Sequence, residues 1–325
     1  MLSPIDQIKK ILKNDINRYN KEFSSIMSSD VVIVDKIAKY IVRHKGKGFR
    51  PLLVLMSARL AGEPSDATYT LASVVEILHT ATLVHDDVVD DANVRRGFPS
   101  INAMWKNKIS VLMGDYLLAK SLIGATESGK LEYMNVLANA SKRLSKGELL
   151  QIEKSRKLNI TEKEYFKIVS DKTAALISAC CELGAHSVDA DVEKINALKQ
   201  YGENLGIAFQ IKDDLLDYQG NQNIVGKPVG ADLKEKKITL PLLLSFHNAP
   251  DKEKNFIIKI LKKGVNGHDI KHILEFCNKY HGIEKSLQTA KDYAAKAKSN
   301  LQMFPDNEYK KVAEKFVDYV ISRTK

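Results

Sequence analysis

Two stretches of the chain, Asp86-Asp87-Val88-Val89-Asp90 and Asp213-Asp214-Leu215-Leu216-Asp217, repeat one pattern of two aspartates, two apolar residues and a third aspartate. On a helix, residues four apart stand one above the other on the same face. Asp86 and Asp90 would therefore be neighbours, and so would Asp213 and Asp217. Like charges placed this way destabilise a helix unless something positive sits between them. Mg2+ prefers hard oxygen ligands and readily shares its shell with phosphate oxygens. Two such faces opposed across a cavity would hold several Mg2+ ions and one diphosphate. A single acidic run is usually a solvated helix face. Here the flanks are apolar, with Ile77, Leu78, Leu83 and Val84 before the first motif and Leu205 and Phe209 before the second. Charges embedded in core-forming sequence are normally paired or metal-bound.

Other polar residues fall into step with these motifs. His79, Thr82, Asp86 and Asp90 are spaced to form one polar stripe on an apolar helix, and Gln210 leads into Asp213, Asp214 and Asp217 in the same way. Cations complement them: Lys47 and Arg50 in a glycine-containing turn, Arg95-Arg96 after the first motif, Lys172 beside Thr173, and Lys227 and Lys237 in and after a glycine-rich segment. Arginine forks and lysine point charges are the usual partners of diphosphate. The chain has no G-x-G-x-x-G, no Walker loop and no evident nucleophile-and-base pair. Metal-assisted departure of diphosphate needs none of these. It needs charge stabilisation for the leaving group and an apolar, water-excluding cavity for the carbocation left behind.

The elements that must position these residues read as helices throughout. The 325 residues include 17 glycines and 8 prolines, and no proline occurs between Ser100 and Lys227. Leu71, Val74, Val75, Leu78 and Ala81 follow helical spacing into the first motif. Breaks are expected at Lys45–Phe49, Ala61–Ser65, Arg96–Ser100, Glu127–Gly129, Asn159–Thr161, His186–Ala190 and Gln219–Gly230, the last reading as a mobile flap over an active site. Thr161 with Glu164 fits a capping box, and Ser100 or Ser128 would cap the segment that follows it. The expected fold is one all-α domain spanning residues 1–325. No uninterrupted apolar run reaches 18 residues and no secretory signal opens the chain, so a cytoplasmic protein is expected. Cys180, Cys181 and Cys277 have neither disulfide-framework nor metal-ligand spacing and read as buried thiols. The net charge of +10 is scattered without a basic, aromatic-interleaved stripe, which argues against nucleic acid and leaves room for weak contact with anionic lipid.

Taken together, Gly46–Pro51, His79–Asp90, Arg95–Gly97, Gly147–Gln151, Asp171–Thr173, Gln210–Asp217 and Gly230–Pro241 make the chain resemble the trans-isoprenyl (polyprenyl) diphosphate synthases over nearly its whole length. The resemblance implies an orthogonal helical bundle around a central cavity, a homodimer, and the Mg2+-dependent condensation of an allylic prenyl diphosphate with isopentenyl diphosphate. By position, Lys47, Arg50, His79 and Arg96 would bind isopentenyl diphosphate. Arg95, Lys172, Thr173, Gln210, Lys227 and Lys237 would surround the allylic diphosphate. Asp86, Asp90, Asp213 and Asp217 would hold Mg2+, with Asp87, Asp214 and Lys172 also in the catalytic set. Gly48 and Lys236 depart from the family pattern, where Arg and Gly are usual, and neither is assigned to a ligand.

The resemblance is strongest to octaprenyl and heptaprenyl diphosphate synthases that make quinone side chains. Short-chain members place a bulky aromatic just below the first motif. This chain has Ala81 and Thr82 there, so the product should exceed four isoprene units, with a deeper floor at Leu137. The alternatives are a short-chain (C15/C20) farnesyl or geranylgeranyl diphosphate synthase and a non-catalytic subunit of a heteromeric synthase. A terpene cyclase also uses an acidic motif of this kind, but has no use for the second diphosphate site at Lys47, Arg50 and His79.

Overall fold

The computed structural model describes residues 4–44, 46, 48–95, 97–219 and 230–323, and the fold is all-α. The chain packs as two compact units, each assembled from three stretches of sequence.

The first unit comprises Met1–Ser141, Ala179–Lys199 and Met303–Ala313. It holds α1 (Pro4–Ile11), α2 (Lys13–Met27), α3 (Val32–Arg43), α4 (Phe49–Ala61), α5 (Asp66–Val89), a ribbon of β1 (Val94–Arg95) and β2 (Phe98–Pro99), and α6 (Ile101–Glu127). Helix α5 is the axis of this unit and packs on α2, α4 and α6. It is apolar on nearly every face, and Leu71, Ala72, Val74, Val75 and Ile77 are fully buried, as expected of a central helix. Its start is fixed by Ser65 and Thr68, whose side chains cap each other's backbone amides. Helix α6 crosses α5 closely enough that a Cβ on Gly124 would lie 2.7 Å from Val74.

The second unit comprises Lys142–Ser178, Gln200–Gln302 and Glu314–Lys325. Helix α7 (Leu131–Lys157) runs through a segment boundary, α8 (Glu162–Val169) lies inside the unit's first segment, and α9 (Ala175–His186) and α10 (Val192–Gln219) run through the next two boundaries. A single π turn, Ser170–Ala174, joins α8 to α9. The rest are α11 (Ala231–Lys234), α12 (Leu240–Asn248), α13 (Asp251–Lys263), α14 (Gly267–Lys279), α15 (Gly282–Ser299) and α16 (Glu308–Ser322), the last of which also runs through a boundary. Their core is built on Ile211, Leu215, Leu233, Leu240, Leu242, Leu261 and Ile273.

The expected breaks fall between helices, and the Thr161–Glu164 capping box opens α8. Ser100 caps α6, accepting from the Ala103 amide. Ser128 does not cap the segment that follows; it closes α6 instead, its hydroxyl donating to the Gly124 carbonyl. The break after the first acidic motif is longer than expected and contains the ribbon, which period-2 patterning cannot reveal in strands of two residues. Residues 220–229, where the flap was expected, lie outside the described residues. The lack of an uninterrupted apolar run is also too strict a test of hydropathy. Both α5 and α6 are long and apolar enough to cross a membrane by length and composition, although most of α5 is buried inside its unit.

Candidate active site

In the first unit, α5 ends within the acidic motif. Val89 is its last residue, Asp90 is the C-cap and Asp91 has φ +47°. The Asp90 amide still donates to the Asp86 carbonyl at 2.8 Å, so the four-residue register survives the helix end. Asp86 is half-buried and Asp90 exposed, while Asp87 turns inward and is 4% exposed. Arg95 folds back from β1, and its Nε donates to Asp87 Oδ1 at 2.7 Å. Tyr40 anchors the ribbon by donating to the Pro99 carbonyl at 2.7 Å, and Phe98 packs on His44. These groups, with Glu76, His79 and Leu83, line a cavity of about 80 Å3.

Helix α6 passes so close to the motif that a Cβ on Gly114 would lie 2.2 Å from the His85 ring, which sits 3.2 Å from Asp115. Thr82 is half-buried and donates to the His79 carbonyl. Ala81 and Leu137 are each 1% exposed, and neither lines this cavity. Arg50 stands in the first turn of α4, behind Gly48 at φ +66°. Lys47 and Arg96 lie outside the described residues.

The second unit gathers Lys172, Thr173, Gln210, Asp214 and Lys237 around one cavity of about 120 Å3, with Gln151, Lys154, Tyr165 and Asp232. The π turn carries Lys172 and Thr173 into it. Such wide turns are rare and frequently mark functional sites. This one fits only between two glycines: a Cβ on Gly147 would lie 2.7 Å from the Lys172 amide, and one on Gly206 would lie 2.5 Å from Ala174 Cα. The back of the turn is pinned by Asp171, which is 1% exposed and pairs with Arg143 at 2.9 Å and Lys167 at 2.6 Å. Burial opposes the Asp171 charge, but those two cations outweigh it and hold the carboxyl below its ordinary range. Arg143 also reaches Ser170 and Glu203.

On the cavity side, Lys172 donates to Gln151 and pairs with Glu148. Thr173 donates to Gln210 at 2.7 Å, Gln210 donates to Asp214 at 2.8 Å, and Tyr165 donates to the other Asp214 oxygen at 2.6 Å. Burial, reinforced by the charge of Asp232, pushes the Asp214 carboxyl up to about 8. The outer carboxylates of this motif are engaged differently. Asp217 accepts from the Ala231 and Asp232 amides and so opens α11. Asp213 pairs with Arg323, whose guanidinium lies 3.9 Å over the Phe209 ring. Lys237 pairs with Glu235, and Lys227 lies outside the described residues.

Sequence reasoning left Asp232, inside Gly230–Pro241, without a role and missed Tyr165 and Arg323. These two lie far along the chain from the residues they serve, and no local spacing marks them. Glu148 and Gln151 stood in a motif without a role.

Among the described residues, no group of three or more His, Cys, Asp or Glu is placed to hold a metal alone. Mg2+ commonly takes one or two carboxylates and completes its shell with phosphate oxygens and water. Asp86 and Asp90, hard oxygen donors in helical register at a helix end, fit that shared mode.

The family described as polyprenyl synthetase matches residues 31–277. The chain is similar to the octaprenyl diphosphate synthase of Escherichia coli (strain K12), 34% identical over 94% of this chain and 95% of that one. Among solved structures it is similar to a polyprenyl synthase from Caulobacter crescentus CB15 complexed with calcium and isoprenyl diphosphate. That match has a TM-score of 0.91 at 38% identity, covering 99% of this chain and 98% of the other. A decaprenyl diphosphate synthase from Rhodobacter capsulatus gives a TM-score of 0.92 at 37% identity, over 99% of both chains.

Proposed function

The chain belongs to the polyprenyl synthetase family and is a prenyltransferase, and from that premise we propose that it extends farnesyl or geranylgeranyl diphosphate with successive isopentenyl diphosphates into a long all-trans polyprenyl diphosphate of the kind used in quinone side chains. The observation that carries this reading is the second-unit cavity, where Lys172, Thr173, Gln210, Asp214 and Lys237 converge from separate parts of the sequence. Two cations and hydrogen-bonding groups at one cavity suit an allylic diphosphate. Arg50 and His79, with Lys47 and Arg96, would hold isopentenyl diphosphate.

Asp86, Asp90, Asp213 and Asp217 would hold Mg2+, which when bound neutralises the charge developing on a departing diphosphate. Asp213 and Asp217 would first exchange the partners they have now. Long relatives and the small side chains at Ala81 and Thr82 favour a long product. Exposed Met104, Val111, Leu112 and Ile123 on α6 favour a homodimer that covers them. The three cysteines are free and buried, which suits the cytoplasm. Each compact unit draws on three separate stretches of chain, which favours one folding domain over residues 1–325.

The test is to incubate the protein with labelled isopentenyl diphosphate, farnesyl diphosphate and Mg2+ and to size the dephosphorylated products. Chains longer than C20 are expected. A stop at C15 or C20 would support the short-chain alternative, and the absence of any condensation would contradict the reading.

A further inference from the structure

Helix α13 is anchored by Ile257 and Leu261, which are buried, so its other side faces solvent. Lys252, Phe256, Lys259 and Lys263 recur along that side at spacings of four, three and four, which sets them on one narrow strip. All four are exposed, and Phe256 is 55% exposed. A single exposed ring is ordinary; the charges around this one are not. The acidic groups of the helix are already paired, Asp251 with Lys254 at 3.4 Å and Glu253 with Lys279 at 2.8 Å. Among the described residues, Lys252, Lys259, Lys262 and Lys263 are left as its uncompensated charges. The helix dipole accounts for Lys262 and Lys263 in the last turn, but it disfavours Lys252 in the first turn and gives no support to Lys259 in the middle. Lys236, just after α11, adds a further cation. It sits in the left-handed region at φ +59°, and its Nζ comes within 3.5 Å of the Lys262 carbonyl.

We propose that this face of α13, together with Lys236, docks on an anionic lipid bilayer. Headgroup phosphates meet the lysines, and the Phe256 ring enters the interface as an apolar wedge. A single-stranded nucleic acid would call for several stacking aromatics along the cations, and this strip has one ring. A bilayer needs only cations in a row around an apolar residue. One wedge and a few charges give reversible, salt-sensitive attachment rather than a permanent anchor. The purpose of such a surface rests on the function proposed above, because a polyprenyl chain longer than C20 partitions from water into lipid. Lys237, the residue after Lys236, lines the second-unit cavity, so the docking face adjoins the site.

The test is co-sedimentation of the full chain with vesicles of phosphatidylcholine alone or of phosphatidylcholine with phosphatidylglycerol. Wild type should bind only the anionic vesicles and should be released by high salt. Lys252→Gln, Lys259→Gln, Lys262→Gln and Lys263→Gln together should weaken binding at least about a hundredfold, at about fivefold for each lysine. The same change of net charge made at exposed Lys9, Lys10, Lys13 and Lys21 should alter binding by no more than about fivefold. Phe256→Ser should weaken it about threefold to tenfold. A Phe256→Trp protein should gain fluorescence quenching by brominated phosphatidylglycerol over wild type, whose one tryptophan is Trp105 on α6.

Equal losses from the two lysine sets, equal binding to neutral and anionic vesicles, or no added quenching in Phe256→Trp would each overturn the proposal. So would a wild type that ignores anionic vesicles but is retained on immobilised polyglutamate, which would place an acidic protein on this face. A protein that docks as described yet makes no product longer than C20 refutes the proposed function and leaves the docking surface standing.

Discussion

The two acidic motifs share a spacing but sit in different surroundings. In each, the middle aspartate faces inward and serves the protein's own framework: Asp87 pairs with Arg95, and Asp214 joins Gln210 and Tyr165. The outer pairs diverge. Asp86 and Asp90 stand at the open end of α5, whereas Asp213 pairs with Arg323 and Asp217 caps α11. Spacing therefore nominates five-residue motifs, and neighbours from distant parts of the chain decide what each carboxylate does. In the second motif a cation would have to displace the Arg323 pair and the Ala231 and Asp232 amides.

The largest effect should come from the outer carboxylates. Asp86→Ala or Asp213→Ala should lower turnover roughly a thousandfold or more, as loss of a charge-stabilising group does, while circular dichroism shows the helices intact. Near-normal turnover in either would erase the distinction between outer and inner positions. The inner position should respond in stability instead. Asp87→Ala leaves Arg95 without its carboxylate and should cost about 1–3 kcal/mol in denaturant unfolding, against roughly 0.5 kcal/mol or less for exposed Asp90→Ala. Equal costs would mean that burial at Asp87 does not matter.

A pH-dependent effect belongs to the back of the π turn. The Asp171 carboxyl is held below its ordinary range, so its contribution is present above the unfolded value of about 3.9 and is lost as pH falls through the lower folded value. Asp171→Asn should cost about 1–3 kcal/mol at pH 7, and thermal melts should show that gap closing below about pH 4. A gap that persists unchanged in acid would show that the pairs with Arg143 and Lys167 do not supply it.

The last contrast concerns product length rather than turnover. An aromatic ring at Ala81 would lie about 1.4 turns, roughly 7.5 Å along the helix axis, before Asp86. Ala81→Phe should shorten the main product to C15–C20, and Leu137→Ala should lengthen it, by chromatographic sizing. Because Ala81 is 1% exposed, overpacking should cost about 1–3 kcal/mol. An unchanged product in the phenylalanine variant would show that elongation does not pass this residue.

The helices were legible because local rules set them: apolar spacing in α5, the Thr161–Glu164 box at α8, the proline-free stretch of α6 to α10. The acidic motifs were legible for the same reason, since four-residue spacing is a property of one helix. What was not legible was long-range. Nothing near Asp213 announces Arg323, and nothing near Asp214 announces Tyr165, 49 residues away in sequence. The π turn was also hidden, because the glycines that admit it, Gly147 and Gly206, lie on other helices.

The most direct test of the contrast between outer and inner carboxylates is a titration of Mn2+, followed by electron paramagnetic resonance, into protein holding inorganic diphosphate. Wild type and Asp87→Asn should bind the ion alike, and Asp86→Ala and Asp213→Ala should each bind at least about tenfold more weakly. Wild-type affinity in both outer variants, or its loss in Asp87→Asn alone, would contradict the account.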